Sequence, residues 1–142
     1  MRTLIVDDQE SNIKVLEKQL TRFGECDHAV SGKRALEKAA GAMAEGRRFD
    51  LICLDIMMPE MDGHAVLVEL NKLDDRQGLS GSDRTRIVMV SGASPKDHLF
   101  KAFREECDAF IRKPIDRKEL LNQIHELGLV DADTMLGVLL ET

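Results

Sequence analysis

The sequence predicts an α/β fold with a doubly wound, five-stranded parallel sheet covered by helices on both faces, a three-layer sandwich. Three observations lead to this prediction. The chain has 142 residues, which suits one domain of ordinary size. It contains short runs of Val, Ile and Leu that are typical of strands buried on both faces. Segments with apolar residues at helical spacing separate these runs, so strands and helices alternate and connect by right-handed crossovers.

Five segments are predicted to form the strands. Four of them are apolar runs, whereas the second is less apolar and is therefore expected nearer an edge of the sheet. In chain order the predicted strands occupy residues 4–6, 26–30, 51–54, 87–90 and 109–111.

Helices are predicted between these strands from apolar residues that share one helix face and from capping residues at the helix ends. Ser31 is a suitable N-cap, and Ser94-Pro95 is a strong helix start because proline suits the first helical position. Residues 74–86 are polar and contain two glycines, so they are expected to form a long loop. The predicted helices cover about residues 13–23, 31–45, 62–73, 94–106 and 116–127.

A short apolar segment follows Gly128. We therefore divide the chain into a domain of residues 1–128 and a C-terminal extension of residues 129–142. Asp131 or Asp133 can cap a helix there, and so short a helix is expected to form only by docking on another surface. We expect the extension to pack against the helix at residues 120–127 and to help dimerisation. The face expected to dock consists of Met135, Leu136, Leu139 and Leu140.

Charge and composition exclude several classes of function. The formal net charge of -6 argues against nonspecific binding to nucleic acid, which needs a basic surface. No apolar stretch approaches the roughly 20 residues that cross a bilayer, and the first residues show no signal-peptide pattern. The three cysteines are far apart and lack a Cys-x-x-Cys spacing, so we interpret them as reduced packing residues of a cytoplasmic protein. They are Cys26, Cys53 and Cys107.

Polar residues of the kinds that phosphoryl chemistry uses follow four of the predicted strands. Ligands of open parallel sheets bind beyond the carboxyl ends of the strands, so these residues are expected to meet at one edge. They are Asp7 and Asp8 after the first strand, Asp55 after the third, Ser91 at the end of the fourth and Lys113 after the fifth.

The grouping of three carboxylates predicts a site for a hard divalent cation, because the cation relieves their mutual repulsion; such oxygen ligands suit Mg²⁺. Capping of the first helix explains an acid at position 7 or 8 but not the meeting with Asp55. Held at a strand end, Asp55 can act as a nucleophile toward phosphorus and form an acyl phosphate. Lys113 and Ser91 offer a charge and a hydroxyl to the phosphoryl oxygens.

These motifs closely resemble the receiver domain of two-component response regulators, of the chemotaxis-regulator type. The resemblance covers residues 1 to about 128 and implies a flavodoxin-like fold. The matching elements are residues 4–8 (Leu-Ile-Val-Asp-Asp), 55–63 (Asp-Ile-Met-Met-Pro-Glu-Met-Asp-Gly), 91–93 (Ser-Gly-Ala) and Lys113-Pro114.

The resemblance implies that Asp55 accepts a phosphoryl group from a phosphohistidine in a magnesium-dependent reaction. The donor would be a sensor histidine kinase or a phosphotransfer protein. Asp8 would bind the metal directly and Asp7 through water, with Asp55 and the main-chain carbonyl of Met57 as further ligands.

The resemblance also implies a switch. Ser91 and Lys113 would bind the phosphoryl oxygens, and the peptide bond between Lys113 and Pro114 would be cis. The Ser91 hydroxyl would move toward the phosphoryl group, and Phe110 would turn inward behind it. This movement would change the surface that a downstream protein target recognises.

The leading hypothesis is therefore a stand-alone signalling receiver, not an enzyme beyond its own phosphorylation and dephosphorylation. A phosphohydrolase of the haloacid dehalogenase type needs a second acid where this chain has Met57. A mononucleotide-binding flavodoxin needs a Ser/Thr/Gly-rich loop after the first strand, whereas residues 7–10 are Asp-Asp-Gln-Glu. An inert receiver used only for docking would not need the complete set of acids.

Overall fold

The computed structural model describes residues 1–55, 58, 63–92 and 107–141. Its sheet contains five parallel strands in the order β2-β1-β3-β4-β5. All five predicted strands are confirmed, and the less apolar β2 lies at an edge, as expected. The strands are β1 (Thr3–Val6), β2 (Cys26–Ala29), β3 (Leu51–Leu54), β4 (Arg86–Ser91) and β5 (Ala109–Arg112).

Five helices lie among the described residues. The helix predicted at residues 94–106 falls outside them. None of the described helices combines the length and the apolar character that a membrane span requires. The helices are α1 (Glu10–Leu20), α2 (Gly32–Ala44), α3 (Gly63–Arg76), α4 (Arg117–Glu126) and α5 (Ala132–Leu140), with 3-10 turns at Thr21–Phe23 and Gly81–Asp83.

Side-chain caps begin three of these helices. In each case a side-chain oxygen accepts a hydrogen bond from a backbone N–H of the first turn, which would otherwise lack a partner. Of the two acids that could cap the last helix, Asp131 is the one that does so. The bonds join Ser31 to Arg34 (3.1 Å) for α2, Asp116 to Lys118 (2.9 Å) for α4 and Asp131 to Thr134 (2.7 Å) for α5.

Helices cover both faces of the sheet because successive strand residues point to opposite sides. Leu4 and Val6 of β1 pack in the core beneath α2 and α3. Ile5, between them, packs in the opposite core beneath α1, α4 and α5. The result is the flavodoxin-like three-layer sandwich that the alternating pattern predicts.

Helix α3 continues further than the sequence predicts, through Asp74 to Arg76. The carboxylate of Asp74 is only 1% exposed. It accepts hydrogen bonds from the backbone N–H of Thr85 at 3.0 Å and from the Thr85 hydroxyl at 3.3 Å. Asp74, whose polarity favours a loop in the sequence, is thus held in the helix by its hydrogen bonds with Thr85, 11 residues later.

Helix α5 docks on the rest of the chain, as expected, but through a different face. Met135 and Val138, three positions apart, are buried in the core with α1 and α4. Of the predicted docking face, Met135 is buried as expected, but the other three residues are wrong, because Leu136, Leu139 and Leu140 are 56%, 42% and 76% exposed. These three leucines lie on the side of the helix that points away from the core.

Polar contacts also tie α5 to the neighbouring helices. The guanidinium of Arg117 donates to the carbonyl oxygen of Val138 at 3.3 Å, and to the side-chain oxygen of Gln19 at 3.1 Å. Arg22 forms an ion pair with Glu141 at 3.0 Å. The division of the chain at residue 128 stays a prediction.

Candidate functional site

The carboxyl ends of β1 and β3 place two acids side by side. The two strands are neighbours, and Val6 pairs with Leu54, so the residues that follow each strand meet at the same edge. The backbone N–H of Asp55 donates to the carbonyl oxygen of Val6 at 3.0 Å, which continues the pairing beyond the strand. Asp7 is 2% exposed and Asp55 is 5% exposed. Their carboxylates are therefore held at the edge of the sheet rather than on a mobile loop.

The structure brings a third acid, Asp8, into this group. One carboxylate oxygen from each of Asp7, Asp8 and Asp55 lies within 4.8 Å of the others. In contrast to its two neighbours, Asp8 is exposed to solvent. The cluster is thus open on one side, where a hydrated ion can enter.

Lys113 reaches this cluster from the end of β5. Its Nζ donates to Oδ2 of Asp7 at 2.8 Å and to Oδ2 of Asp55 at 3.0 Å. Burial by itself disfavours the charged form of the lysine, but the bonds and charges of the two acids outweigh it and raise the pKa of Lys113 above its ordinary value. The side chain is therefore an ammonium that bridges two buried carboxylates.

The ion pairs between Lys113 and the two acids were not predicted, because this lysine was expected only to bind phosphoryl oxygens. The available signal was the charge of the expected cluster: buried carboxylates need a counter-charge, and Lys113 was the cation expected at that edge.

Backbone contacts hold the ends of the site in place. The second oxygen of Asp7, Oδ1, accepts a hydrogen bond from the backbone N–H of Gln9 at 2.9 Å. The backbone N–H of Lys113 donates to the carbonyl oxygen of Ser91 at 2.9 Å, and the peptide bond between Lys113 and Pro114 is cis. The first hydrogen bond orients the carboxylate of Asp7, and the second fixes the backbone of Lys113 beside Ser91.

The remaining predicted site residues are placed as follows. Ser91 is the last residue of β4 and is fully buried at the same edge. Phe110 lies on β5 beside Met89 and packs, partly buried, against the core beneath α2 and α3. Met57 lies outside the described residues. The roles proposed for these residues stay predictions.

The acidic cluster fits a divalent cation by its donor set and charge. Three carboxylates against one ammonium leave two negative charges among these four groups uncompensated. Oxygen ligands at the edge of a sheet, with one exposed acid, suit Mg²⁺, which keeps several of its waters. The arrangement can also present the Asp55 carboxylate to an electrophile.

Comparison with known proteins gives a family and several relatives. The family model of the response regulator receiver domain matches residues 3–125. Chemotaxis protein CheY of Treponema pallidum is 33% identical over 125 residues, which are 87% of this chain and 79% of that protein. Hybrid signal transduction histidine kinase L of Dictyostelium discoideum is 36% identical over 128 residues, 89% of this chain. The chain spans only 7% of the length of that kinase.

A solved structure supports the same comparison. The receiver domain of the histidine kinase CKI1 from Arabidopsis thaliana, complexed with Mg²⁺ and BeF3-, is 31% identical to this chain. The two structures superimpose with a TM-score of 0.75, covering 91% of this chain and 90% of that one. The chain spans 12% of the length of the complete CKI1 kinase.

Proposed function

Because the chain belongs to the response regulator receiver domain family, we propose that Asp55 accepts a phosphoryl group from a phosphohistidine. The observation that carries this proposal is the buried Asp55 carboxylate, which lies beside Asp7 and is bridged to it by the ammonium of Lys113. In the transfer, a bond forms between a carboxylate oxygen of Asp55 and phosphorus while the bond from phosphorus to the donor nitrogen breaks. The product is an acyl phosphate on Asp55.

Asp7, Asp8 and Asp55 would hold Mg²⁺ for this reaction, with the main-chain carbonyl of Met57 as a further proposed ligand. The bound ion would supply positive charge that offsets the repulsion between the acids and an incoming phosphoryl group. The acyl phosphate is formed on Asp55 itself, so in this reaction the protein is the phosphoacceptor.

Lys113 would exchange one of its hydrogen bonds during phosphorylation. Its ammonium now donates to Oδ2 of Asp55 and would donate to a phosphoryl oxygen once Asp55 is modified. The Ser91 hydroxyl would bind another phosphoryl oxygen. Since Ser91 and Lys113 are joined through the backbone at 2.9 Å, a shift at either residue reaches the ends of both β4 and β5.

This exchange would switch contacts with other proteins. Phe110, the second residue of β5, would turn inward behind the shifted Ser91 and alter the adjoining surface. Relatives that are hybrid histidine kinases support a kinase or a phosphotransfer protein as the donor. The downstream target, the stand-alone arrangement, the cytoplasmic location and dimer formation stay predictions.

The metal assignment is tested by calorimetric titration with Mg²⁺. We expect Asp8→Ala to weaken binding at least about tenfold, because it removes a direct carboxylate ligand. Asp83→Ala removes an exposed acid in a 3-10 turn outside the cluster and should leave the affinity unchanged. Unchanged affinity in Asp8→Ala would remove Asp8 from the site.

Phosphorylation is tested by intact-mass spectrometry after treatment with acetyl phosphate. The unmodified chain should gain one acid-labile phosphoryl group in the presence of Mg²⁺ and none when the metal is chelated. Asp55→Asn should gain none, while Asp83→Asn should behave as the unmodified chain does. A phosphoryl group of the same lability on Asp55→Asn would show that another residue is the acceptor.

A further inference from the structure

Helix α5 carries an apolar surface that its docking in the same chain leaves uncovered. Between Asp133 and Glu141 the helix has no charged residue, and only Met135 and Val138 are buried. Leu136 and Leu140, four positions apart, form a leucine ridge that is 56% and 76% exposed. A helix that is apolar on all sides is normally covered on all sides.

A groove lies next to this ridge, between α4 and α5. Its α4 wall follows the spacing i, i+3, i+4, i+7, which is one stripe of a helix. Its volume is about 430 Å³. The walls of this α4–α5 groove are Lys118, Leu121, Asn122 and His125 from α4, and Met135 and Leu139 from α5.

The groove has a shape and a lining that suit the binding of an amphipathic helix. Leucine side chains spaced four apart fill such a groove while the backbone of the incoming helix stays outside. Lys118 and His125 place basic groups on its walls. An occupant with apolar side chains and acidic flanks therefore matches the groove in shape and in charge.

Helix α5 itself has these properties. Its leucine ridge is apolar and uncovered, and two exposed acids, Asp131 and Asp133, precede it. The acid that follows it, Glu141, is paired with Arg22 of the same chain. The ridge adjoins the groove, because Leu139, the neighbour of Leu140 on the same helix, lines the groove wall. A two-fold axis can therefore place the ridge of each copy in the groove of the other. We propose that the α4–α5 groove binds the leucine ridge of a second copy of this chain and forms a symmetric dimer.

The test is sedimentation equilibrium on the full, unphosphorylated chain over a range of concentrations. The unmodified chain forms a dimer, and Leu140→Glu raises the dissociation constant at least about tenfold because it places a charge in the apolar groove. Leu140 is exposed, so the variant keeps its fold, which circular dichroism verifies. Val15→Glu is the matched control, since Val15 is an exposed apolar residue of α1 (49%) outside the proposed interface, and it leaves the dimer unchanged.

A second pair of variants tests the electrostatic part. Lys118→Glu places an acid on the groove wall opposite the acidic flanks and weakens the dimer. Lys33→Glu makes the same change of charge at an exposed position of α2 and weakens it less. The proposal fails if the unmodified chain stays monomeric at every concentration, if Leu140→Glu dimerises as the unmodified chain does, or if the two lysine variants are equally affected. None of these outcomes bears on phosphoryl transfer to Asp55.

Discussion

Lys113 is the counter-charge of the acidic cluster. Its ammonium lies 2.8 Å from Asp7 and 3.0 Å from Asp55, the two buried acids of the site. A cation bound to the same carboxylates would have to share them with this ammonium. The lysine and a bound metal would therefore repel each other, although each would stabilise the acids.

We predict that Lys113→Ala binds Mg²⁺ more tightly than the unmodified chain, by about three- to tenfold, since loss of a nearby positive charge favours a cation. Without Mg²⁺ the variant should be less stable, because two buried carboxylates lose a charged hydrogen-bond donor. Calorimetry and urea unfolding measure the two effects. Lys33→Ala, which removes an exposed lysine of α2, is the control. Weaker Mg²⁺ binding in Lys113→Ala would contradict the prediction.

Asp74 is a second buried acid, located away from the site. Its hydrogen bonds to the backbone N–H and hydroxyl of Thr85 join the end of α3 to the start of β4. Burial raises the pKa of Asp74 above its ordinary value of 3.8, against the opposing effects of Thr85 and Arg84. The folded protein thus holds this proton more tightly than the unfolded chain does.

A raised folded-state pKa means that the stability contributed by Asp74 is fully present below pH 3.8 and declines as the pH rises through the raised value. We therefore compare the free energies of unfolding of the unmodified chain and of Asp74→Asn. We predict that the first minus the second falls as the pH rises from 3.8 through the raised pKa of Asp74, and that it is constant at higher pH. Urea unfolding over a pH series measures the difference. A difference that rises with pH would contradict the prediction.

Among the elements, two glycines occupy opposite situations. Gly41 lies inside α2, where an added Cβ would meet no atom within 4 Å. Gly24 follows the 3-10 turn after α1 with φ of 148°, and an added Cβ would overlap the carbonyl oxygen of Met1. Gly41 lowers the stability of α2, and no neighbouring atom requires a glycine there. Gly24, in contrast, permits close approach of two backbone segments.

The same substitution should therefore have opposite effects at these two positions. Gly41→Ala is expected to raise the free energy of unfolding by about 0.5–1 kcal/mol, because alanine loses less backbone entropy in a helix. Gly24→Ala is expected to lower it by more than about 1 kcal/mol, because the backbone must move. Urea unfolding distinguishes the two, and stabilisation by Gly24→Ala would show that the contact with Met1 is relaxed in solution.

At the scale of the whole molecule, α5 completes the layer formed by α1 and α4. Met135 and Val138 enter the core that also contains Leu121 and Ile124. A nine-residue helix is marginal alone in water, so its order depends on this docking. The extension is in this sense part of the folded unit.

Truncation after Gly128 should therefore destabilise the protein. We expect a loss of about 1–3 kcal/mol, since the burial of three apolar side chains, Val130, Met135 and Val138, is partly offset by the entropy of ordering the helix. Chemical denaturation at low protein concentration, where a dimer dissociates, isolates this effect. Leu136→Ala, which shortens an exposed side chain of α5, should change stability by less than about 0.5 kcal/mol. Equal stability of the truncated and full chains would show that the docking contributes nothing.

Much of the fold could be predicted from the sequence because its signals are local. Apolar runs identified four of the five strands, Ser31 identified the start of α2, and the lower apolar character of residues 26–30 indicated an edge strand. The grouping of the strand-end acids also followed from local pattern, because parallel strands of one sheet end at one edge. The Met57 ligand and the helix at residues 94–106 stay predictions.

Tertiary structure decided what depends on partners far apart in the chain. The bridge from Lys113 to Asp7 joins residues 106 positions apart, so the sequence could place both at one edge of the sheet but could not show that they bond directly. The extension of α3 needed Thr85 as the donor to Asp74. The buried face of α5 was decided by where α1 and α4 leave space, since leucine and valine have equal reason to be buried until a neighbouring surface selects between them.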